Sequence, residues 1–234
     1  PALGPTVGGA ILNRFSWHII FWAMVPLMVL ILLAGLWRLT NVGESRDVPL
    51  DGISVVLSAC AFGGLVYGLS SIEKMLSCGA WIEIIVSIVG VVALVAFIRR
   101  QQRLSLDDRA LMDLRPFRVR NFTLAVIILL ISFGLMLGMV TVLPIYLQTT
   151  LGATAFATGL AVMPGGIIQA FLSPIVGRIF DSYGPRPLMI PGSLFMVASL
   201  WLMATLGESS ALWMVVGMHV LFSLGMCLMM TPLM

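Results

Sequence analysis

The chain has 234 residues, of which 60% are hydrophobic and only 10% are charged, and its mean hydropathy is +1.09. Because a soluble domain carries roughly 25% charged residues, this composition excludes an ordinary water-soluble protein. The net charge of +3 comes from basic residues in short loops beside apolar stretches. Membrane topology accounts for such residues, so no nucleic-acid partner is expected. Three cysteines cannot form a closed set of disulfides, so no structural disulfide is expected either.

Seven apolar stretches are long enough, or nearly so, to cross about 30 Å of hydrocarbon as helices. In chain order they are residues 17–37, 53–70, 80–98, 122–146, 154–176, 188–206 and 211–230. Small-residue pairs in two of them, Gly64 with Gly68 and Gly134 with Gly138, predict close helix packing. We therefore expect an all-α polytopic membrane protein that contains no separate soluble domain.

The positive charges predict the orientation of these spans. If the connections face alternate sides, 11 of the 13 Lys and Arg residues fall on one side, and only Arg14 and Lys74 fall on the other. Cytoplasmic loops of membrane proteins carry the excess of Lys and Arg. The Arg-rich loops are therefore expected to be cytoplasmic, in a plasma membrane that fits a bacterial origin.

The ends of the sequence predict an internal part of a longer protein. The chain begins at Pro1 without an initiator Met, and its first apolar piece, residues 1–12, is too short to cross a bilayer. Met234 follows just as the last span closes, with no polar tail. We interpret the sequence as an internal fragment of a transporter-like chain.

The longest connection covers residues 99–120. Ser105 and Asp108 form a weak capping signal for a short helix that ends before Pro116. We interpret this segment as an interfacial helix with apolar residues facing lipid or protein, and a regulatory site is the alternative.

The first motif that could carry function is Gly-Pro-Thr-Val-Gly-Gly over residues 4–9. Pro5 removes a helix hydrogen bond, while Gly4, Gly8 and Gly9 leave a face without side chains. A helix with such a face can pack tightly against a neighbour and act as a seal. Proline and glycine also occur in membrane helices for packing alone, so both interpretations remain open.

The second motif is the charged turn expected over residues 177–187. Its carboxylate, on Asp181, is close enough to lie near the positive N-terminal end of the next helix, and the two arginines could pair with it in one conformation and release it in another. This turn is either a latch for an inward-facing gate or a topology anchor that keeps the loop inside. The residues assigned to the gating loop are Gly177, Arg178, Asp181, Gly184 and Arg186.

The third region is the 154–176 span, in which glycines and a proline are expected to interrupt the helix and free backbone carbonyls. It is either a hinge beside a substrate path or a packed kink. In the last span, His219 is the deepest ionisable residue, and it is either protonated during a transport cycle or neutral and hydrogen-bonded. The residues assigned to a cavity or hinge are Thr158, Gly159, Met163, Pro164, Gly165, Gln169 and His219, with Phe133, Tyr146 and Phe171 as further candidate lining.

The two motifs together resemble the major facilitator superfamily, specifically its 14-helix drug:proton antiporters of the EmrB/QacA type. The pattern Gly-Pro-x-x-Gly-Gly over residues 4–9 is similar to the second half of the antiporter signature of the fifth helix. The pattern Gly-x-x-x-Asp-x-x-Gly-x-Arg over residues 177–186 looks like the second-half copy of the repeated cytoplasmic-loop motif. Ser182 and Pro185 stand where the fullest form of that motif has basic residues. Residues 114–122 also resemble the lead-in to the ninth helix.

The resemblance implies a partial helical bundle of this superfamily with four parts. Residues 1–38 would end the N-terminal bundle as helices 5 and 6, and residues 39–98 would hold a cytoplasmic linker and the inserted helices 7 and 8. Residues 99–120 would form a cytoplasmic loop, and residues 121–234 would form the first part of the C-terminal bundle as helices 9 to 12. The two bundles of this superfamily are parallel repeats that rock about a central cavity.

The function implied by the resemblance is proton-coupled efflux of amphipathic, often cationic drugs or other toxic small molecules. The partners would be the substrate, protons and the lipid bilayer, and no cofactor is expected because the proton gradient drives transport. The alternatives are an exporter of a specific lipid, siderophore or metabolite, and a non-transporting scaffold. An enzyme is not expected, because the sequence has no H-E-x-x-H, no G-x-S-x-G, no phosphate-binding loop and no Cys/His spacing suited to a metal.

Overall fold

The computed structural model describes residues 3–39, 51–76, 81–107 and 110–233. Every regular element within these ranges is a helix, so the all-α prediction is confirmed for the described residues. The α-helices are α1 (Leu3–Arg14), α2 (His18–Arg38), α3 (Gly52–Ser70), α4 (Ile72–Leu76), α5 (Trp81–Leu104), α6 (Arg120–Thr149), α7 (Ala155–Tyr183), α8 (Arg186–Met203) and α9 (Leu212–Leu233), and short 3-10 segments cover Ser105–Asp107 and Arg115–Arg118.

Seven of these helices, all except α1 and α4, are long and apolar enough to cross a membrane. They coincide with the seven predicted stretches in the same order, so the predicted spans are confirmed. Four of them extend three or more residues beyond the predicted ends, α5 to Leu104, α6 to Thr149, α7 to Tyr183 and α9 to Leu233. The apolar pattern stops at the first polar residues, whereas the helix continues for as long as its backbone hydrogen bonds are made.

The extension of α7 corrects the predicted turn over residues 177–187. The first part of that segment belongs to the last turns of α7, and the turn is reduced to Gly184 and Pro185. Gly184 has a φ of +77°, a left-handed conformation that favours glycine and ends the helix. Pro187 lies in the first turn of α8, where its missing N–H leaves no bond unmade.

The predicted interruption of the 154–176 span is absent, because α7 runs without a break through Pro164. A proline has no N–H to donate, so Pro164 leaves the carbonyl of Leu160, four residues earlier, without its helical donor. One residue before Leu160, the Thr6 hydroxyl of α1 donates a hydrogen bond of 3.0 Å to the carbonyl oxygen of Gly159. A neighbouring helix therefore makes a polar contact with the backbone of α7 close to the proline.

The chain divides into two compact units. The first holds α1, α2, α7, α8, α9 and most of α6, and the second holds α3, α4, α5 and both 3-10 segments. Within the second unit, α3 and α5 pack backbone to backbone. A Cβ atom built on Gly64 would lie 2.6 Å from the Cα atom of Gly90, and one built on Gly68 would overlap Ser87. The close packing predicted for the pair Gly64 and Gly68 is confirmed.

The connection after α5 differs from the predicted short helix. Its described residues form a 3-10 segment at Ser105–Asp107 and a non-helical stretch over 110–114, followed by the 3-10 segment at Arg115–Arg118. The buried Gln101 side chain accepts a hydrogen bond of 3.1 Å from the backbone N–H of Met112. This bond ties the connection to α5 without a helix.

Within the first unit, α8 packs closely on α9. A Cβ atom built on Gly225 would lie 2.7 Å from the carbonyl oxygen of Gly192, and the buried Ser199 hydroxyl donates a bond of 2.7 Å to the Met218 carbonyl. Gly134 and Gly138 of α6 behave differently, because a Cβ atom on either would meet nothing within 4 Å among the described residues. Within the described chain, the packing predicted for this second pair is therefore not observed. The buried cluster that α6 touches is Met196, Phe222, Met226 and Met229, against Ile128, Leu135, Met136 and Met139.

Candidate functional site

Three helices of the first unit, α6, α7 and α9, line a cavity of about 310 Å³. This volume lies within the range of about 300–1,000 Å³ that is typical of ligand pockets. Methionine and phenylalanine make much of the wall, and flexible thioethers adapt to ligands of different shape. The apolar lining is Met136, Met139, Val140, Val162, Phe222 and Met226, and the remaining lining is Gly166, Gln169, His219 and Ser223.

His219 is the unusual side chain of this cavity, because 9% of its surface is exposed and its Nδ1 atom has no hydrogen-bond partner within the described residues. The opposite edge of the ring lies against α7. A Cβ atom built on Gly165 would be 2.9 Å from Cδ2 and 3.0 Å from Nε2 of His219. A buried polar atom without a partner costs about 1–3 kcal/mol. Such an atom marks a candidate functional group, because most buried polar atoms in folded proteins are satisfied.

Gly165 is the residue of α7 that makes room for α9. A Cβ atom there would overlap the Ser223 hydroxyl as well as the His219 ring. Gln169 lies one turn further along α7 and lines the cavity, while Cys227 of α9 lies with its sulfur 3.8 Å from the Gln169 carbonyl. The assigned residues Met163 and Pro164 are half-buried and outside the lining.

The start of α7 contacts the first motif. Gly9 is buried, and a Cβ atom on it would lie 3.2 Å from Cα of Phe156 and would overlap the carbonyl oxygen of Ala155. Gly4 and Gly8 face open space in the described part of the chain, since a Cβ atom on either meets nothing within 4 Å. Only one glycine of the motif therefore makes the close approach.

The structure brings the first motif together with part of the third region. The Thr6 hydroxyl reaches the Gly159 carbonyl, and Gly159 and its neighbour Thr158 are both buried. The Thr158 hydroxyl donates a bond of 3.0 Å to the carbonyl of Thr154, the residue whose side chain caps α7. The beginning of α7 is thus fixed by its own cap and by its contact with α1. Pro5 is a residue of the helix α1.

The gating-loop residues lie at the other end of α7, about 30 Å from Gly159 at 1.5 Å per helical residue. Their ionic side chains are exposed, and among these described residues no ion pair joins the carboxylate to either arginine. A Cβ atom built on Gly177 would meet no atom of the described residues within 4 Å. The helix α7 carries Gly177, Arg178 and Asp181, Gly184 forms the turn, and Arg186 begins α8.

Sequence reasoning missed Ser223 and all of the apolar lining, and the predicted lining residue Phe133 is exposed and lies outside the cavity. The missed signal is the helical spacing from His219, because residues three, four and seven positions later lie on the same face of a helix. Phe222, Ser223 and Met226 occupy those positions, and all three line the cavity. Of the aromatic candidates, Tyr146 lines a different cavity of about 440 Å³ beside α6, and its hydroxyl donates to the Gly207 carbonyl at 2.7 Å. Phe171 is largely exposed.

A second polar cluster, in the second unit, was not indicated by the sequence. Arg100 donates two hydrogen bonds to the Asp51 carboxylate, of 2.7 Å from Nε and 2.9 Å from Nη2. The Ser54 hydroxyl donates to the same carboxylate. Gln101 is completely buried and donates from Nε2 to Ser54 at 2.7 Å. The hydrogen bonds from Arg100 and then from Ser54 hold the pKa of Asp51 well below its usual range. This cluster clamps the ends of α3 and α5 together.

No group of three His, Cys, Asp or Glu side chains in the described ranges could hold a metal ion. Cys60 is exposed and Cys227 is buried, and both are free thiols, while Cys78 lies outside the described residues.

Comparison with known proteins identifies the family to which the chain belongs. A family profile described as Major Facilitator Superfamily matches residues 1–234. The chain is 39% identical over 235 residues to the lincomycin resistance protein LmrB of Bacillus subtilis, a match that covers 99% of the chain and 48% of the relative. It is 33% identical over 198 residues to the multidrug export protein EmrB of Escherichia coli, covering 81% of the chain and 36% of that protein.

A third relative, the multidrug efflux pump LfrA of Mycolicibacterium smegmatis, is 28% identical over 228 residues, with 96% of the chain and 44% of the relative covered. The chain spans about half the length of the curated relatives it matches. Its seven apolar helices and its family profile identify a multi-pass membrane protein. The chain belongs to the major facilitator superfamily.

Proposed function

We propose that this chain is the central part, helices 5 to 12, of a 14-helix exporter that moves amphipathic, cationic drug-like compounds out of the cell in exchange for protons. The observation that carries the proposal is the cavity of α6, α7 and α9. Its methionine and phenylalanine wall suits apolar compounds of varied shape, and its few polar groups suit orientation of a ligand. The names of the relatives, which describe lincomycin resistance and multidrug export, support this class of cargo.

The proposed coupling element is His219. No charged residue lines the cavity in the described part of the chain, so a proton on the imidazole would place the first charge there. A cation in the same apolar space would be repelled by it, because like charges interact strongly where the dielectric is low. Protonation and binding of a cationic substrate would then exclude one another, which is the thermodynamic requirement for exchange.

The proposed seal is the contact between α1 and α7. In this arrangement the buried Gly9 and the Thr6 to Gly159 hydrogen bond close the start of α7 against α1. The charged turn around Gly184 lies at the opposite end of α7 and, with the Arg-rich loops, would face the cytoplasm. Rocking of the two bundles would open these two ends alternately, and the proton gradient would supply the energy without a cofactor.

The test uses the complete protein, purified and reconstituted, with ethidium and lincomycin as probes and a protonophore to abolish the gradient. We expect the unaltered protein to bind ethidium more weakly as the pH falls, within the factor of about 5–150 that is typical of coupled sites. In the variant His219→Gln the side chain still forms hydrogen bonds but takes up no proton, so affinity should become independent of pH and uphill efflux should stop.

The matched control is His18→Gln. His18 is exposed, and its Nδ1 lies 2.8 Å from the Ser16 hydroxyl, so its loss should leave the pH dependence unchanged. Uphill, protonophore-sensitive efflux that persists in His219→Gln would remove His219 from the coupling mechanism. No efflux of either probe by the unaltered protein would overturn drug export and favour an exporter of one specific metabolite on the same fold.

A further inference from the structure

The second unit contains a cleft of about 540 Å³ that the proposed export function does not use. Its deeper wall comes from α3 and α5, including Phe62, Leu94 and Ile98. Its outer wall is the connection after α5, where apolar residues alternate with Arg115 and Arg118. The cleft is therefore apolar inside and cationic at its mouth.

The depth of the cleft matches one leaflet of a bilayer. Phe62 lies nine residues after Ile53, where the apolar stretch of α3 begins, which corresponds to about 14 Å along the helix. Half of the hydrocarbon thickness of about 30 Å is close to this length. An acyl chain that enters beside Arg118 would therefore end near the level of Phe62, close to the mid-plane of the membrane.

The charge at the mouth suits an anion. The Arg118 side chain is exposed and makes no ion pair or hydrogen bond with the described residues. Arg115 donates from Nη2 to the Ser105 carbonyl and lies with Nε 3.2 Å from the Asp113 carboxylate, a half-exposed pair. Arg115 is therefore engaged within the connection itself, and the exposed Arg118 supplies the positive charge that the mouth offers to a phosphate.

The mouth is also held in place before any ligand arrives. The bond from Met112 N–H to the Gln101 side chain and the bond from Arg115 to the Ser105 carbonyl fasten the connection to the end of α5. The nearest carboxylate on α3, that of Asp51, is already neutralised by Arg100. A preformed site of this kind loses less entropy on binding than a mobile one.

We propose that this cleft binds an anionic phospholipid, with its phosphate on Arg118 and one acyl chain between α3 and α5. Basic pockets between membrane helices at the cytoplasmic side are a recurring way to hold anionic headgroups. Arginine suits this contact because its planar donors match phosphate oxygens in pairs. The lipid would fill the apolar space between the two helices and the connection that follows them.

The test measures lipid retention by the complete protein in nanodiscs, released and weighed by native mass spectrometry. We expect phosphatidylglycerol to be retained in preference to phosphatidylcholine, and Arg118→Gln to lower that retention about fivefold, the factor equivalent to the about 1 kcal/mol that one basic residue contributes near a membrane. Arg103→Gln is the matched control, since Arg103 is exposed at the same end of α5 and outside the cleft.

A second pair of variants tests the acyl chain. Ile98→Trp should fill the cleft and abolish retention, whereas Val95→Trp, on the exposed face of α5, should not. The proposal would be overturned by equal retention of the two lipids, by equal losses in Arg118→Gln and Arg103→Gln, or by displacement of the lipid by inorganic phosphate alone. Retention that survives Ile98→Trp would equally exclude a chain in the cleft.

Discussion

Two helix crossings in this protein use glycine in opposite ways. Where α3 crosses α5, Gly64 lies against Gly90, and the two backbones approach until no side chain fits between them. Where α7 crosses α9, Gly165 lies against the side chains of His219 and Ser223. The first crossing is closed by backbone contact. At the second crossing the missing side chain leaves room for two polar groups beside a cavity. A glycine in a membrane helix therefore allows close approach, and the neighbouring residue determines whether backbone or polar side chains fill the room.

The largest effect should come from Gly64→Leu, which breaks the closed crossing. The added side chain would have to displace the backbone of α5 at Gly90, and overpacking of this kind costs about 3 kcal/mol at the upper end of its usual range. We expect a large fall in the thermal midpoint of the complete protein in detergent. Gly63→Leu is the control, because its Cβ atom meets nothing within 4 Å and its midpoint should hardly change. Equal falls in both variants would refute backbone contact at Gly64.

A smaller effect should follow from Gly165→Ala, at the open crossing. The new methyl group would press on the His219 ring and the Ser223 hydroxyl, both of which are side-chain atoms that can shift, so we expect about 1–2 kcal/mol of destabilisation. Transport should fall further than stability does, because the displaced imidazole belongs to the proposed coupling site. Efflux and thermal midpoint measured together check this. Gly217→Ala, on α9 and in open space among the described residues, should change neither.

Much of the fold was predictable because hydrocarbon imposes it. Apolar runs of sufficient length have to be helices, and the seven spans follow from that rule. The ends of the helices were not predictable in the same way, since the charged residue Asp181 of α7 continues the helix beyond the apolar run. The two glycine pairs show the limit more sharply. Gly64 and Gly134 each precede a second glycine by four residues, yet in the described part of the chain only Gly64 meets a neighbouring helix, and spacing does not say which helix comes near.

The cavity was predictable in part. His219 was identified because ionisable residues are costly within a membrane, and Gln169 because it lies one helical turn from Gly165; both line the cavity. Its apolar lining was not identified, because methionine and phenylalanine occur throughout the chain and only tertiary contact separates those at the cavity from those at the surface. The clamp on Asp51 also escaped the sequence, because its partner Arg100 lies 49 residues away and belongs to a run of basic residues that topology already explains.

The smallest effect should appear at the clamp that closes the α3–α5 crossing, and only in acid. Arg100 and Ser54 hold the pKa of Asp51 in the folded protein well below its ordinary value of 3.8, so the carboxylate favours the folded state wherever it is ionised. That contribution is complete above the unfolded pKa and is lost as the pH falls through the folded pKa. The variant Asp51→Asn should therefore be less stable than the unaltered protein between pH 5 and 8, by an amount that stays constant there and shrinks below about pH 4.

Thermal midpoints across this range measure the difference in stability. Asp113→Asn is the control, because that carboxylate is half-exposed and its pair with Arg115 is weak. A stability difference that keeps its size into strong acid would show that Asp51 acts through its shape, and the clamp would then owe its strength to the neutral bonds of Gln101 rather than to the ion pair.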